Sequence, residues 1–299
     1  MSVGTAITNG LIALIVAPFL DGAMRKVRAI IHSRKGPPIT QTYIDIFKLL
    51  GKQDLRSSSS VLFRFGPAAA LASFLAVAAL TPMGASPATG LPGDMITWIY
   101  FLTLGAAAII LMAAASGNPF ANAGAAREIM MLLSVEPVVV AALITAAVKT
   151  GDLHLAGMSE WYMAAGPSVS MVVAGVALFL ALQATLGRLP FDIAEAESEI
   201  VDGPLIEQSG PNLALLKMGL LVRQVVYAFL LVQIFVPWPR VAPWPLGVVV
   251  ALAKVAVLFV LAAVVEAVSP RLRIDQAMNY SSRVLFVALA ALAFAVIGV

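Results

Sequence analysis

The sequence predicts an all-α, polytopic integral membrane protein with eight transmembrane helices and one amphipathic surface helix. Three observations carry that reading. Hydrophobic residues make up 61% of the 299-residue chain and charged residues only 12%, against roughly 25% charged in soluble domains. Nineteen Lys+Arg and 16 Asp+Glu are too few to clothe a soluble globule of this size. The apolar residues are also gathered into runs of roughly 20, the length a helix needs to cross a bilayer. Helix follows because backbone groups in lipid must be satisfied within their own segment. A soluble enzyme, a disordered chain and a nucleic-acid binder are excluded. The pI near 9.3 rests on a net charge of only +3, and the chain has no cysteine. It therefore has no disulfide, thiolate metal site or Cys-ligated cluster of its own.

Taken in order, the runs fall at 3–21, 65–83, 95–115, 129–148, 168–186, 213–236, 246–268 and 280–299. The chain reads as one transmembrane domain, 1–299, with the larger loops at 22–64, 116–128, 187–212 and 269–283. The first run is expected to remain as a span. No basic region precedes it, and Asp21 to Arg25 follow where a cleaved leader would have small residues. The last run is the weakest, with 16 residues after Arg283.

Basic residues set the orientation. Loop 1 holds nine: Arg25, Lys26, Arg28, Arg34, Lys35, Lys48, Lys52, Arg56 and Arg64. Loops 3, 5 and 7 add Arg127, Arg188, Arg271, Arg273 and Arg283, so the odd loops hold 14. The even loops hold two, Lys149 and Arg240. The positive-inside rule then places the odd loops in the cytoplasm and both termini outside. Pro82, Pro87, Pro92, Pro237, Pro239, Pro243 and Pro245 punctuate the even loops. Trp98, Trp161, Trp238 and Trp244 fall near the expected outer ends, as an interfacial aromatic belt would.

Two of the odd loops carry more than connection. In loop 1, residues 39–52 have helical period: Ile39, Tyr43, Ile46, Phe47 and Leu50 on one face, Gln41, Asp45, Lys48 and Lys52 on the other. Such a helix lies on the membrane or on a partner. Loop 5 gathers Asp192, Glu195, Glu197, Glu199, Asp202 and Glu207, six of the 16 acids. Asp192 followed by Glu195 has the spacing of a helix start, which would set Glu195 and Glu199 one turn apart on one face. A solvated acidic turn and a functional mouth to the bundle both fit this loop.

Charges inside the runs are costly, and so are functional candidates. They are Glu136 on the fourth run, with Glu128 at its start, Lys217 and Arg223 on the sixth, and Lys254 and Glu266 on the seventh. Buried pairs that fix helix register are one reading; a chain of titratable groups is the other. His32 and His154 read as surface histidines. No metal-ligand spacing, phosphate-binding Gly loop or Ser/His/Asp arrangement occurs.

Four segments carry a family resemblance: 33–50 (SRKGPPITQTYIDIFKLL), 123–137 (AGAAREIMMLLSVEP), 187–210 (GRLPFDIAEAESEIVDGPLIEQSG) and 270–275 (PRLRID). Together they resemble NADH dehydrogenase subunit 1, the heel subunit of complex I, in the family's order and over nearly the whole chain. Gly36-Pro37-Pro38, the Leu-Leu-Gly-Lys run, Gly-Pro-Leu in loop 5 and Glu266 before the Pro-Arg-Leu-Arg turn are similar to the membrane subunits of energy-converting [NiFe]-hydrogenases such as formate hydrogenlyase. Gln208 fits neither branch well, and Asp275 to Met278 lean toward the quinone-reducing one.

The resemblance implies a prokaryotic inner-membrane subunit that holds no cofactor itself. The [NiFe] centre and iron–sulfur clusters would sit in partners: hydrogenase large and small subunits and an iron–sulfur protein of a soluble arm. Antiporter-like membrane subunits would be further partners. Glu195, Glu197, Glu199, Asp202 and Glu207 would line the cytoplasmic mouth of an ion path. Glu128, Glu136, Lys217, Arg223, Lys254 and Glu266 would continue it, and Arg34, Lys35, Asp45, Lys48, Lys52 and Asp192 would face the soluble arm. The alternatives are a quinone-site subunit of an NADH:quinone oxidoreductase and a purely structural anchor. A secondary transporter finds no support in internal repeats.

Overall fold

The structure, a computed structural model, describes residues 3–84, 94–239 and 245–298. Of residues 3, 197 and 198 only the backbone is described. Pro87, Pro92, Arg240, Pro243, Trp244 and the side chain of Glu197 thus lie outside the described residues. The described elements are all helical: α1 (Val3–Ile31), α2 (Gln41–Leu50), α3 (Val61–Leu80), α4 (Met95–Ala114), α5 (Pro119–Thr150), α6 (Leu155–Ala165), α7 (Val169–Thr185), α8 (Glu197–Ile200), α9 (Gly210–Phe235), α10 (Leu246–Val268) and α11 (Ile274–Ile297), with a 3-10 turn at Gly203–Leu205. Among the described residues seven helices are long and apolar enough to cross a membrane, and the remaining expected span, the fifth at 168–186, is α7, an apolar helix of 17 residues.

Helix α9 is the axis of the bundle. From Leu221 to Phe235 nearly every side chain is buried, as expected of a helix that is apolar all round. Helices α1, α3, α7 and α10 pack around it. On the far side, α11 lies against α5 and α7. Its buried seam is Ala277, Ser281, Val284, Ala288, Ala291 and Ala295. That alternating four-three spacing of mostly small residues lets helix backbones approach closely in lipid, where packing rather than the hydrophobic effect holds helices together.

Several boundaries move outward from the apolar runs. Helix α1 continues ten residues past the expected end and carries Arg25, Lys26 and Arg28 on its last turns. Arg64 is on α3, Arg127 and Glu128 are on α5, and Arg283 is on α11. Apolarity stops at the edge of the hydrocarbon, but backbone hydrogen bonding does not. Helix α5 also runs through Pro137, whose missing N–H leaves the Leu133 carbonyl without its helical donor.

Two expectations fail locally, at Trp98 and in loop 5. Trp98 is fully buried rather than interfacial; it donates to Thr81 Oγ1 at 2.9 Å and meets Tyr227 edge-on at 5.6 Å. Helix α2 buries Thr42 and Ile46 against the bundle and leaves Phe47 and Leu50 of its apolar face exposed, as a helix lying on a membrane or a partner would. Residues 192–196 are not helical. The short α8 follows them, then Val201 and Asp202 with left-handed φ of 50° and 65°. Glu195 and Glu199 therefore do not share a helix face. The loop between α5 and α7 also contains α6, which buries Leu155, Met158, Ser159 and Tyr162.

Candidate functional site

Loop 5 returns from α7 across the ends of α1, α5 and α9 and encloses a large chamber. This cavity of about 920 Å³ is walled by α1, α2, loop 5, α9 and α10. Arg25, Arg28, Arg34, Lys48 and Lys52 stand on its α1–α2 side. Arg188, Asp192, Glu195, Asp202, Lys217, Arg223 and Glu266 close the rest.

Two buried carboxylates organise the chamber. Asp21, with no exposed surface, accepts from Arg188, from Thr42 Oγ1 at 2.7 Å and from Arg25 Nε at 3.0 Å. It ties α1 to α2 and to loop 5. Burial works against the Arg188 charge, yet Asp21, Glu266 and Glu195 together hold its pKa above the ordinary value. Glu266, also buried, accepts from Arg28 and ties α10 to α1. Full satisfaction by donors is what makes buried charge tolerable.

Behind the chamber lies a smaller cavity of about 60 Å³, lined by Thr103, Glu128, Glu136, Glu195, Arg223 and Tyr227 among others. That is room for a few water molecules. Glu195 and Arg223, with Gly187, line both cavities and stand in the partition between them. Burial, with the neighbouring Glu128 carboxylate, pushes the Glu195 carboxyl up to about 7, against the pull of Arg188 and Arg223. Arg223 donates to Glu128 at 2.8 Å. Glu136, near the middle of α5, accepts from Thr103 Oγ1 of α4. None of the ion pairs among the described residues includes Glu136, so Lys217, Arg223 and Lys254 are not paired with it.

The other candidates separate from this line. Lys254 donates to the carbonyls of Val236 and Pro237 at 3.0 and 2.9 Å, so it holds the end of α9 and lines neither cavity. Glu199 takes Arg127 at 2.6 Å on the surface, which keeps its carboxyl below the usual range. Glu207 accepts from Asn118 Nδ2 at 2.5 Å; that bond and one from Ser57 lower its pKa. The carbonyl of Lys35 accepts from Lys26 Nζ at 2.9 Å. His32 lines the chamber, and His154 contacts Asp152 at 2.8 Å. Sequence reasoning missed Asp21, Arg28, Arg188, Thr103 and Tyr227 as members. For Asp21 a signal existed: Arg25 stands four residues on, one helical turn away. Among the described residues no three His, Asp or Glu side chains gather as a metal set.

Known proteins match this arrangement over nearly its whole length. The family model for NADH dehydrogenase matches residues 4–297. The chain is similar to hydrogenase-4 component C of Escherichia coli (strain K12), with 38% identity over 87% of this chain and 85% of that one. Formate hydrogenlyase subunit 4 of the same organism is 33% identical, with 92% of each chain covered. A subunit of the NADH-quinone oxidoreductase of Brevibacillus brevis is 30% identical over 85% of this chain and 78% of that one. Among solved structures, a chain of the membrane-bound sulfane sulfur reductase, an archaeal respiratory membrane complex, superposes with a TM-score of 0.84 at 28% identity, covering 97% of this chain and 98% of that one. The chain belongs to the NADH dehydrogenase family.

Proposed function

We propose that the chain is the membrane anchor and coupling subunit of a membrane-bound nickel–iron hydrogenase of the formate hydrogenlyase or energy-converting type. In that role it links redox chemistry in a soluble arm to proton or sodium movement. Identity to the two hydrogenase-complex subunits exceeds that to the NADH-quinone oxidoreductase relative. The observation that carries the coupling role is the position of Glu195 in the partition between the two cavities. A carboxyl pushed to about 7 takes and releases a proton near neutral pH, which an ordinary surface carboxylate does not.

On this reading ions reach the chamber past Arg34, Asp45, Lys48 and Lys52, where the soluble arm docks. Asp202 and Asp192 face the same space. Glu195 accepts the proton, with Arg188 and Arg223 balancing its charged form. The small cavity, with water, passes it to Glu128 and Glu136. Redox events in the arm would alter the field at Glu195 from the chamber side. The [NiFe] centre and clusters belong to the partners and supply the electron chemistry there. As a quinone site the chamber fits poorly: its wall is crowded with charged groups, whereas an isoprenoid tail calls for a mostly apolar lining.

Glu195→Gln in the intact complex tests the proposal. Assembly and hydrogen turnover with artificial electron donors should persist, and ion movement should be lost. Undiminished ion movement would reduce the chain to an anchor. Copurification with NADH-binding subunits in place of a nickel–iron subunit would move it to the quinone-reducing branch.

A further inference from the structure

A third cavity lies apart from the two central ones. Its volume is about 190 Å³, and it sits where α5, loop 5 and the turn into α11 meet. Arg127, Arg271, Arg273, Glu199 and Asp275 supply its polar lining. Three guanidinium groups against two carboxylates leave a net charge of +1. The first turn of the 24-residue helix α11 also faces it, through Ile274 and Asp275. There the Arg273 N–H is taken by Gln276 Oε1 at 3.0 Å, and the helix dipole puts its positive end at the cavity.

The donors differ in how engaged they are. Arg127 is committed to Glu199 at 2.6 Å and to the Ile193 carbonyl at 3.3 Å. Arg271 donates to the Asp192 carbonyl at 2.6 Å and stands 4.0 Å from Glu199. Arg273 is 80% exposed and has Asp275 at 3.7 Å, beyond hydrogen-bond distance. Its planar fork is therefore available to a ligand.

Both helices beside the cavity continue into exposed apolar surface. On α5 this is Ile129, Met130 and Leu133; on α11 it is Met278 and Phe286. A positive pocket above two adjoining apolar helix faces has the order of parts of one lipid molecule, headgroup first and acyl chains after. Arginine forks suit phosphate oxygens, and basic pockets between membrane helices take phospholipid headgroups. The net +1 matches a phosphodiester, which carries one negative charge. A dianionic free phosphate would be opposed by Glu199 and Asp275.

We propose that this pocket binds the phosphodiester headgroup of an anionic phospholipid, held by Arg273 and Arg271 at the positive end of the α11 dipole, with the acyl chains on the exposed faces of α5 and α11. Native mass spectrometry of the purified complex in detergent, doped with phosphatidylglycerol or phosphatidylcholine, tests it. Phosphatidylglycerol should be retained in preference. Arg273→Gln should weaken retention roughly tenfold or more, the scale of one lost charge-assisted bond. Arg64→Gln removes an exposed charge on α3, away from the cavity and from α5 and α11, and should change nothing. Asp275→Asn should tighten binding, a gain that damaged folding cannot mimic. Equal retention of phosphatidylcholine would overturn the proposal. So would displacement of the lipid by inorganic phosphate, or indifference to both Arg273→Gln and Asp275→Asn.

Discussion

Arg223 on α9 and Glu128 on α5 meet at 2.8 Å, with side chains only 13% and 16% exposed. Arg127, the neighbour of Glu128, turns the other way to Glu199 in loop 5. One dipeptide on α5 thus ties the central helix on one side and the acidic loop on the other. The pair also forms part of the small cavity's wall, so its charge balance bears on stability and on ion passage together.

Removing one member should therefore be costly. Glu128→Gln leaves Arg223 largely buried, with an Nε that already has no partner among the described residues. The expected loss is about 3–5 kcal/mol, read as a lower thermal midpoint of the purified complex. The exchanged pair Glu128→Arg with Arg223→Glu should recover part of it. A single variant as stable as wild type would show that the pair carries no structural weight.

Glu195 gives a pH signature. Its carboxyl is moved from 4.5 to about 7 in the folded protein, chiefly by burial. Below about pH 4.5 both folded and unfolded states are protonated, and the group has no effect. Between there and about pH 7 the unfolded chain ionises while the folded one keeps its proton, so the folded state is progressively penalised. Above that the penalty is constant, on the order of 3 kcal/mol. Glu195→Gln removes it. The variant's thermal midpoint should gain on wild type as pH rises toward about 7 and then hold its lead. A variant that loses ground at high pH would mean the arginines stabilise Glu195 as an ion.

The seat of loop 5 is a glycine contact. A Cβ on Gly124 of α5 would stand 2.5 Å from Pro204 Cδ and 2.8 Å from Gly203 Cα. Neither neighbour can yield without moving the loop backbone. Gly124→Ala should shift the segment that carries Glu195 and lower ion coupling severalfold, while hydrogen turnover with artificial donors remains. Unchanged coupling would show that the loop's position tolerates the shift.

How much of this is legible in the sequence follows from what each residue answers to. The apolar runs record the demands of lipid, so the spans can be read directly. The ends cannot, because α1 carries Arg25 and Arg28 past the boundary and uses them on Asp21 and Glu266. Helix α6 does show an apolar spacing at Leu155, Met158 and Tyr162, but it is too short to span and reads as loop. Trp98 has the chain position of an interfacial residue and lies inside because Thr81 offers its N–H a partner. For Glu195, the gathering of acids in loop 5 is visible. What turns Glu195 inward while Glu199 stays on the surface is the non-helical backbone before α8 and the left-handed turn after it. No periodicity encodes that.

The basic residues predict orientation, and a direct test is available. A reporter in the loop near Ser58 should be active in the cytoplasm, and one fused to the C-terminus should be active outside. The reverse pattern would invert the bundle and place the chamber on the wrong side for a cytoplasmic arm.

Glu136 separates the coupling subunit from the anchor. It stands near the middle of α5, takes a hydrogen bond from Thr103 and has no ion-pair partner among the described residues. An amide keeps the shape and can still accept from the Thr103 hydroxyl, so Glu136→Gln strands no cation and should leave assembly and thermal stability within about 0.5 kcal/mol. What the amide cannot do is take a proton from water in the small cavity and release it. If the path from Glu195 runs through that cavity, the variant complex should turn over hydrogen with artificial donors at the normal rate and lose ion movement. Glu136→Ala should lose ion movement as well, with little effect on the Thr103 hydroxyl, which keeps the Ile99 carbonyl at 2.9 Å as its acceptor. Normal assembly with undiminished ion movement in Glu136→Gln would remove Glu136 from the path and end the inward route at Glu128.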